Sequence, residues 1–388
     1  MLVPIIIIAF YVALYTTYPF IVVFHELGHA FAYLVLTKQS KIDVFIGSYG
    51  NKKTRMNFKI GKLHFYVKLS FPFFTNGGMC QASSMEPNYI KKVIILLAGP
   101  FFSFFAACIL GFIVFNTEIH GAIKLFVFAL IIFSLISLIT SLVPRTIGSA
   151  HIDNDGKQLL FVIRMRKGYA DYLAACNYML KEEYAEAVEH LFKVIRVVPA
   201  EAKVLRLLSN SLVILKDYQH AEIYLLQLNK VSSLTVDESI NLGYIQSTSG
   251  KRELAVENYK KALEMDPDNQ FALNNLGYEC IFNGKYVEGE QLLTKAIELD
   301  PEFAYSYNNL GYIKLLTGNL EEGKQLIEKS IEMRPDNAYG YKHLGVYYLK
   351  IHDKTQADIC FQKALKLDPL VVMEEISREV ENQQDIEN

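Results

Sequence analysis

Before Pro144, three long runs in which polar positions are sparse organise the chain. Three runs, residues 2–36, 93–115 and 123–143, each supply about the 20 apolar residues that a hydrocarbon core requires. They predict three membrane spans, the first with a kink expected at Pro19. Between the first two the period changes to 2. Leu63, Phe65, Val67, Leu69 and Phe71 alternate with Lys62, His64, Tyr66, Lys68 and Ser70, which predicts a half-buried strand. Asn57–Ile60, set off by Gly61, is its expected hairpin partner, and Thr75-Asn76-Gly77-Gly78 is the expected turn of a β segment over about 55–80.

Beyond about residue 168 the pattern becomes a repeat. Pro267, Pro301, Pro335 and Pro369 stand 34 residues apart, as do the Leu-Gly pairs 242–243, 276–277, 310–311 and 344–345. The small residues Ala255, Gly289, Gly323 and Ala357 and the large residues Tyr259, Leu293, Ile327 and Phe361 keep the same period. Small residues at fixed spacing let two antiparallel helices pack closely, and a proline ends the second. The pattern resembles the tetratricopeptide repeat. It predicts an α-solenoid over 168–370 of about six repeats, the first two degenerate around Ala187 with Pro199 and around Ala221. Residues 371–388 are polar and helix-prone, as a capping helix or tail would be.

Charge separates the same two parts. Residues 1–167 carry 16 Lys/Arg and 6 Asp/Glu, whereas the remainder carries 23 and 35. A basic, apolar part joined to an acidic one reads as a membrane domain (about 1–165) followed by a soluble domain. Ten Lys/Arg lie within 37–92, against Lys124 alone in 116–124. Positive charge favours the cytoplasmic side, so the N-terminus is expected outside and the repeats in the cytoplasm. The five cysteines (Cys80, Cys108, Cys176, Cys280, Cys360) are scattered, which fits reduced thiols rather than a disulfide scaffold or cysteine zinc site. Neither a Gly-rich phosphate loop nor a basic–aromatic stripe occurs, so nucleotide or nucleic-acid binding has no support.

The chemistry concentrates in His25-Glu26-Leu27-Gly28-His29. On a helix, His25 and His29 share one face and both imidazoles can reach one metal ion, while Glu26 beside them can take a proton from water. Ionisable groups inside an apolar run are costly without a compensating partner such as a metal. Gly28 in a helix interior points to another segment approaching closely there. A catalytic zinc needs a third protein ligand. Asp155, on an expected Asp-Gly turn, is preferred, with Asp153 and His151 as competitors. Ser134, Ser137 and Ser141 fall on one face of the third span and mark either a packing face or a water path.

These motifs, in this order, resemble the site-2 protease family of intramembrane zinc metalloproteases. The resemblance covers about 15–165 and rests on His25–His29, Ala98-Gly99-Pro100, and Pro144 followed by Asp155-Gly156. It implies one zinc per chain held by His25, His29 and Asp155, with Glu26 as catalytic base, and a cytoplasm-proximal sheet between the first two core helices. Ser141 stands where the family usually has an Asn three residues before the Pro, and is the substrate-contact candidate. The strand around Lys62–Phe71 is either the edge that holds an unwound substrate or part of a structural hairpin lying on the membrane surface. In the repeats, Asn241, Asn275 and Asn309 form a ladder able to hydrogen-bond an extended peptide.

The expected architecture is thus mainly α: a polytopic membrane core with a small sheet, then the solenoid. The expected function is hydrolysis of a membrane-protein substrate near its membrane segment, in a bacterial plasma membrane, with the repeats recruiting a protein or peptide partner. The alternatives are a membrane-anchored scaffold with an inactive peptidase core, and a zinc peptidase resembling the heat-shock membrane protease group. The latter needs a Glu ligand on a later helix, and no acidic residue lies in the later spans.

Overall fold

The computed structural model describes residues 2–53, 56–68, 77–83, 88–147, 152–369 and 371. The chain forms two compact units, Met1–Val204 and Leu205–Asn388.

In the first unit, α1 (Leu2–Leu36) is one helix that runs through Pro19. A four-stranded sheet follows, made of β1 (Ile42–Ile46), β2 (Met56–Ile60), β3 (Leu63–Val67) and β4 (Gly78–Ala82) in the order β2-β3-β1-β4. The two core helices are α2 (Tyr89–Phe115) and α3 (Gly121–Leu142). Both begin slightly before their apolar runs because polar side chains cap them: Asn88 accepts from Ile90 N and Lys91 N, and His120 from Ala122 N. Helices α1, α2 and α3 are long and apolar enough to cross a membrane. A small ribbon, β5 (Thr146–Ile147) with β6 (Ile152–Asp153), then leads into α4 (Asp155–Arg164).

The sheet's apolar face packs on α1. Ile42, Val44, Ile46 and Phe65 share a core cluster with Val22, Ala30 and Tyr33, and Leu63 and Val67 pack against it, as the alternation predicts. β2 and β3 form the predicted hairpin, with Gly61 at φ +57° in the turn. One expectation changes. β3 pairs with β2 on one side and β1 on the other, so it offers no free edge. The edges belong to β2 and β4. Residues 69–71 of the predicted strand, Thr75-Asn76 of the turn, and 372–388 of the expected cap lie outside the described residues.

From α5 (Tyr169–Leu180) to α16 (Lys354–Leu367) the chain is a succession of short helices. Glu182, Lys216, Gly250, Gly284, Gly318 and His352 all have positive φ and stand 34 residues apart, one at each turn inside a helix pair. Within the second unit, α9 (Val236–Thr248) packs on α10 (Arg252–Met265), and the pattern recurs through α15 (Ala338–Lys350) on α16. The glycines of the Leu-Gly pairs meet the 34-residue series of large residues here. A Cβ on Gly243 would stand 2.6 Å from the Tyr259 ring, on Gly277 2.8 Å from Leu293, on Gly311 2.7 Å from Ile327 and on Gly345 2.4 Å from Phe361. Each glycine therefore admits the large side chain of the facing helix, and any side chain there would push the pair apart.

Candidate metal centre

His25 and His29 lie one turn apart on α1, with ring centroids 4.9 Å apart. The His29 Nδ1–H donates to the Ile95 carbonyl oxygen of α2 at 2.7 Å, which turns Nε2 towards the neighbouring cavity. Two glycines make this possible. A Cβ on Gly28 would come within 2.6 Å of Ala98 O, so α1 and α2 approach backbone to backbone at the predicted place. A Cβ on Gly99 would come within 2.2 Å of His29 Nε2, so the space beside that ring exists because residue 99 has no side chain.

Asp155 arrives from the other direction. Its Oδ2 is 2.9 Å from His25 Nε2 and its Oδ1 is 3.4 Å from His29 Nε2. Ligand atoms of His25, His29 and Asp155 all lie within 4.8 Å of one another. Asp155 is not in a turn, as expected from Asp-Gly, but is the first residue of α4, because Asn154 caps that helix by accepting from Lys157 N at 3.0 Å. Asn154 also ties the helix start to the end of α3: Oδ1 accepts from Arg145 N, and Nδ2 donates to Val143 O at 2.7 Å and Ser141 O at 3.0 Å. Gly156 completes the junction, since a Cβ there would meet Leu142 O at 2.2 Å. Burial pushes the Asp155 carboxyl up, but the His29 and His25 rings outweigh it and hold it well below the usual carboxylate range.

Glu26 is 5% exposed, and its Oε2 has no hydrogen-bond partner among the described residues. Its side chain lies against Gly78 of β4, where a Cβ would stand 2.7 Å from Oε1. A carboxyl oxygen left bare in a buried place is expensive unless a further group completes it. Two imidazoles, a carboxylate and an uncommitted glutamate form a donor set suited to zinc with one open position.

A cavity of about 190 Å³ connects these groups. Tyr18, Tyr49, Cys80 and Arg145 also line it, a set to which the sequence motifs gave no clue. Burial pushes the Cys80 thiol well up, with the Glu26 charge acting in the same sense, so it stands protonated. Ser137 and Ser141 reach the cavity, whereas Ser134 is buried in the helix packing. The Ser141 hydroxyl donates to Ser137 O at 2.7 Å, so its proton is committed to its own helix. Of the competing third ligands, His151 lies outside the described residues. Asp153 is paired with Lys157 at 2.9 Å and with Lys203, and these lysines outweigh burial to lower its carboxyl.

In the second unit, a cavity of about 520 Å³ is lined by Asn275 and Asn309 together with Tyr244, Tyr278, Tyr305 and Tyr339. Asn241, the first rung of the expected ladder, is not among its lining residues. The amides are turned towards one another. Asn309 Nδ2 donates to Asn274 Oδ1 at 3.0 Å, Asn274 Nδ2 to Asn275 Oδ1 at 3.0 Å, and Asn308 Nδ2 to Asn309 Oδ1 at 3.3 Å. The ladder thus stitches successive repeats as well as facing the cavity, which depends on Asn274 and Asn308 standing one residue before it.

Comparison with known proteins gives two kinds of match. The sequence model of Peptidase family M50 matches residues 10–246, more than half of the chain. Tetratricopeptide repeat models match 240–269, 258–291, 292–325 and 339–369. No curated protein sequence matches the chain. Among solved structures, similarity extends to MamA from Desulfovibrio magneticus, at 21% identity over 43% of this chain and 95% of that one, with a TM-score of 0.35. A tetratricopeptide repeat protein from Parabacteroides merdae is 19% identical over 52% of this chain and 80% of that one, with a TM-score of 0.44. YrrB, described as a TPR protein with an unusual peptide-binding site, is 18% identical over 50% of this chain and 99% of that one, with a TM-score of 0.34. With its zinc-type donor set beside a buried glutamate and its family match across the membrane helices and α4, the chain belongs to peptidase family M50, a family of zinc metalloproteases, and it continues into tetratricopeptide repeats.

Proposed function

We propose that the chain is an intramembrane zinc metalloprotease in which His25, His29 and Asp155 hold one zinc ion and Glu26 is the catalytic base. The observation that carries this reading is the bare, buried Glu26 carboxylate oxygen beside three convergent ligand side chains. Zinc bound there supplies an acidified water and a polarised scissile carbonyl. Glu26 takes the proton from the attacking water and delivers it to the leaving amine nitrogen. Ile95 O fixes the His29 ring so that only Nε2 faces the reaction. Asn154 fixes Asp155 by anchoring α4 to the end of α3. Ser141 acts as a wall of the substrate cavity, since its hydroxyl proton is already used within the helix.

A helical substrate hides its peptide bonds in its own hydrogen bonds and must be unwound before attack. β4 is the strand suited to hold it, because it is a sheet edge and its Gly78 touches Glu26. The lysine and arginine distribution supports an orientation with the N-terminus outside and the repeats in the cytoplasm. The tyrosine- and asparagine-lined cavity of the repeats is then the place where a substrate or regulator is recruited as an extended segment.

The test is cleavage of synthetic single-span peptides with a glycine- or proline-softened helix by the zinc-loaded full chain, followed by mass spectrometry of the new termini. Glu26→Gln is expected to keep zinc and abolish cleavage. Equal cleavage by wild type and Glu26→Gln contradicts the assignment, and zinc binding without cleavage of any peptide favours the inactive scaffold.

A further inference from the structure

The first helices of the repeats carry aromatic rings in register. Phe271, Tyr305 and Tyr339 stand 34 residues apart at the start of α11 (Gln270–Phe282), α13 (Ala304–Leu316) and α15. Tyr244 and Tyr278 stand 34 apart towards the ends of α9 and α11. Phe271 and Tyr278 are about two helical turns apart, so both series fall on one face. That face lines the cavity of about 520 Å³, and Phe303 joins it from the residue before α13. The rings brace one another. Phe271 meets Phe303 with centroids 5.0 Å apart, Phe303 meets Tyr305 at 5.6 Å, and Tyr278 meets Tyr339, two repeats on, at 6.5 Å.

The ladder amides of the same cavity are committed within the protein. The Oδ1 atoms of Asn274, Asn275, Asn308 and Asn309 accept from Asn309, Asn274, His343 and Asn308 respectively. Asn337 differs. It lines the cavity, is 3% exposed, and donates through Nδ2 to Ser330 Oγ at 3.1 Å, but its Oδ1 has no hydrogen-bond partner among the described residues. A buried acceptor left bare on a cavity wall calls for a donor from whatever fills the cavity. The charged lining residues are Asp336, Asp368 and Lys216, two acids to one base. Asp336 is exposed and accepts from Arg334 Nε at 3.3 Å, and the guanidinium carbon of Arg334 stands 5.2 Å from the centroid of the Tyr305 ring. One arginine of this chain thus already sits between an acid and a cavity tyrosine.

We infer that this cavity selects a peptide segment carrying an arginine, whose guanidinium packs against the Tyr278 and Tyr339 rings and donates to Asn337 Oδ1. Aromatic faces attract cations, and more strongly where water is excluded. A planar guanidinium can stack on a ring and donate in its own plane at once, which an ammonium cannot. An apolar side chain would leave the Asn337 oxygen bare, and an acidic one would set a second acceptor against it. The wider field acts in the same sense, since residues 168–388 carry 23 Lys/Arg against 35 Asp/Glu. The inference rests on the reading of the repeats as a recruiting site, names the chemistry they select, and is independent of the peptidase chemistry.

The test is binding of labelled nonapeptides to the full chain in detergent, followed by fluorescence polarisation. The peptides share randomised neutral flanks and differ at the central residue: arginine, lysine, citrulline, leucine or glutamate. Arginine is expected to bind tightest. Citrulline, which keeps the planar shape and loses the charge, should bind about 10-fold more weakly. Tyr278→Leu and Tyr339→Leu should each weaken the arginine peptide by about 10-fold, and Tyr278→Phe and Tyr339→Phe should restore most of the loss, because the ring face returns. Asn337→Asp keeps the acceptor and adds charge, so it should tighten the arginine peptide and widen the gap to citrulline. Thermal unfolding of each variant separates lost binding from lost fold, and the citrulline comparison needs no variant at all.

Equal affinity for the arginine, citrulline and leucine peptides overturns the inference while leaving the repeats as a recruiting site. Equal affinity for arginine and lysine, both above citrulline, overturns the planar fork as the basis of choice. A preference for glutamate overturns the inference and gives the selecting role to Lys216. Arginine preference that survives unchanged in Tyr278→Leu, Tyr339→Leu and Asn337→Asp overturns this cavity as its seat. Failure of every peptide to bind removes the recruiting reading itself, and the inference falls with it.

Discussion

Replacing Gly99 with alanine places a methyl carbon 2.2 Å from His29 Nε2, 2.5 Å from Cε1 and 2.6 Å from Cδ2. Ordinary contact begins near 3.4 Å, so the imidazole must retreat by about 1.2 Å at the atom assigned to the metal. The ring cannot slide along its plane without losing the 2.7 Å hydrogen bond from Nδ1 to Ile95 O. Losing that hydrogen-bonded ring orientation costs a metal site about 10- to 100-fold in affinity, or about 1.4–2.7 kcal/mol. Overpacking adds about 1–3 kcal/mol of lost stability. The assay is zinc affinity of the purified full chain in detergent, by competition with a calibrated chelator, alongside thermal unfolding. Gly111→Ala is the control: its methyl would stand 2.6 Å from Ile131 Cδ1, between the same kind of helices but beside a side-chain end rather than a ligand. Gly111→Ala is expected to lower stability and leave zinc affinity unchanged. If Gly99→Ala folds and binds zinc as tightly as wild type, the cradle argument is refuted.

Other variants probe the rest of the account. Asn154→Ala removes a helix cap and two donors to the end of α3, and should cost about 2 kcal/mol and loosen zinc; a variant that melts with wild type would show the junction held by other contacts. His343 is buried, which, together with the charge of Lys342, holds its ring well below the ordinary 6.5, so the folded repeats keep it neutral while the unfolded chain takes up a proton. Repeat stability should accordingly fall as pH drops below about 6.5 and show no such slope above it, and His343→Asn should flatten the acid limb in chemical unfolding followed by circular dichroism. His352 occupies at φ +63° the turn position that glycine fills at 250, 284 and 318, so His352→Gly should stabilise the last repeat by about 1 kcal/mol. A lower unfolding midpoint for that variant would mean that the His352 side chain contributes more than its strain costs.

Much of this was legible from residue spacing because spacing is what helices and repeats convert directly into geometry. His25 and His29 meet because four residues make about one helical turn, and the 34-residue series places Gly243 against Tyr259 and Gly345 against Phe361. Choices among near neighbours were less legible. Asp153 and Asp155 differ in sequence by two positions, but Lys203 from beyond α4 takes the first, and the Asn154 cap aims the second at the histidines. An N-capping asparagine immediately before Asp-Gly was the available signal. The β3 alternation correctly marked its buried face but carries no information about which strands flank it; that depends on β1 entering between β3 and β4. The asparagine ladder was visible as a period, whereas its use to join repeats required seeing Asn274 and Asn308 beside it.

The measurement that bears most directly on the central claim is zinc content of the purified full chain, compared with His25→Ala and Asp155→Ala prepared identically. The account predicts about one zinc per chain in the wild type, lost in both variants, with secondary structure retained. Full zinc in Asp155→Ala, or none in the reconstituted wild type, would contradict it.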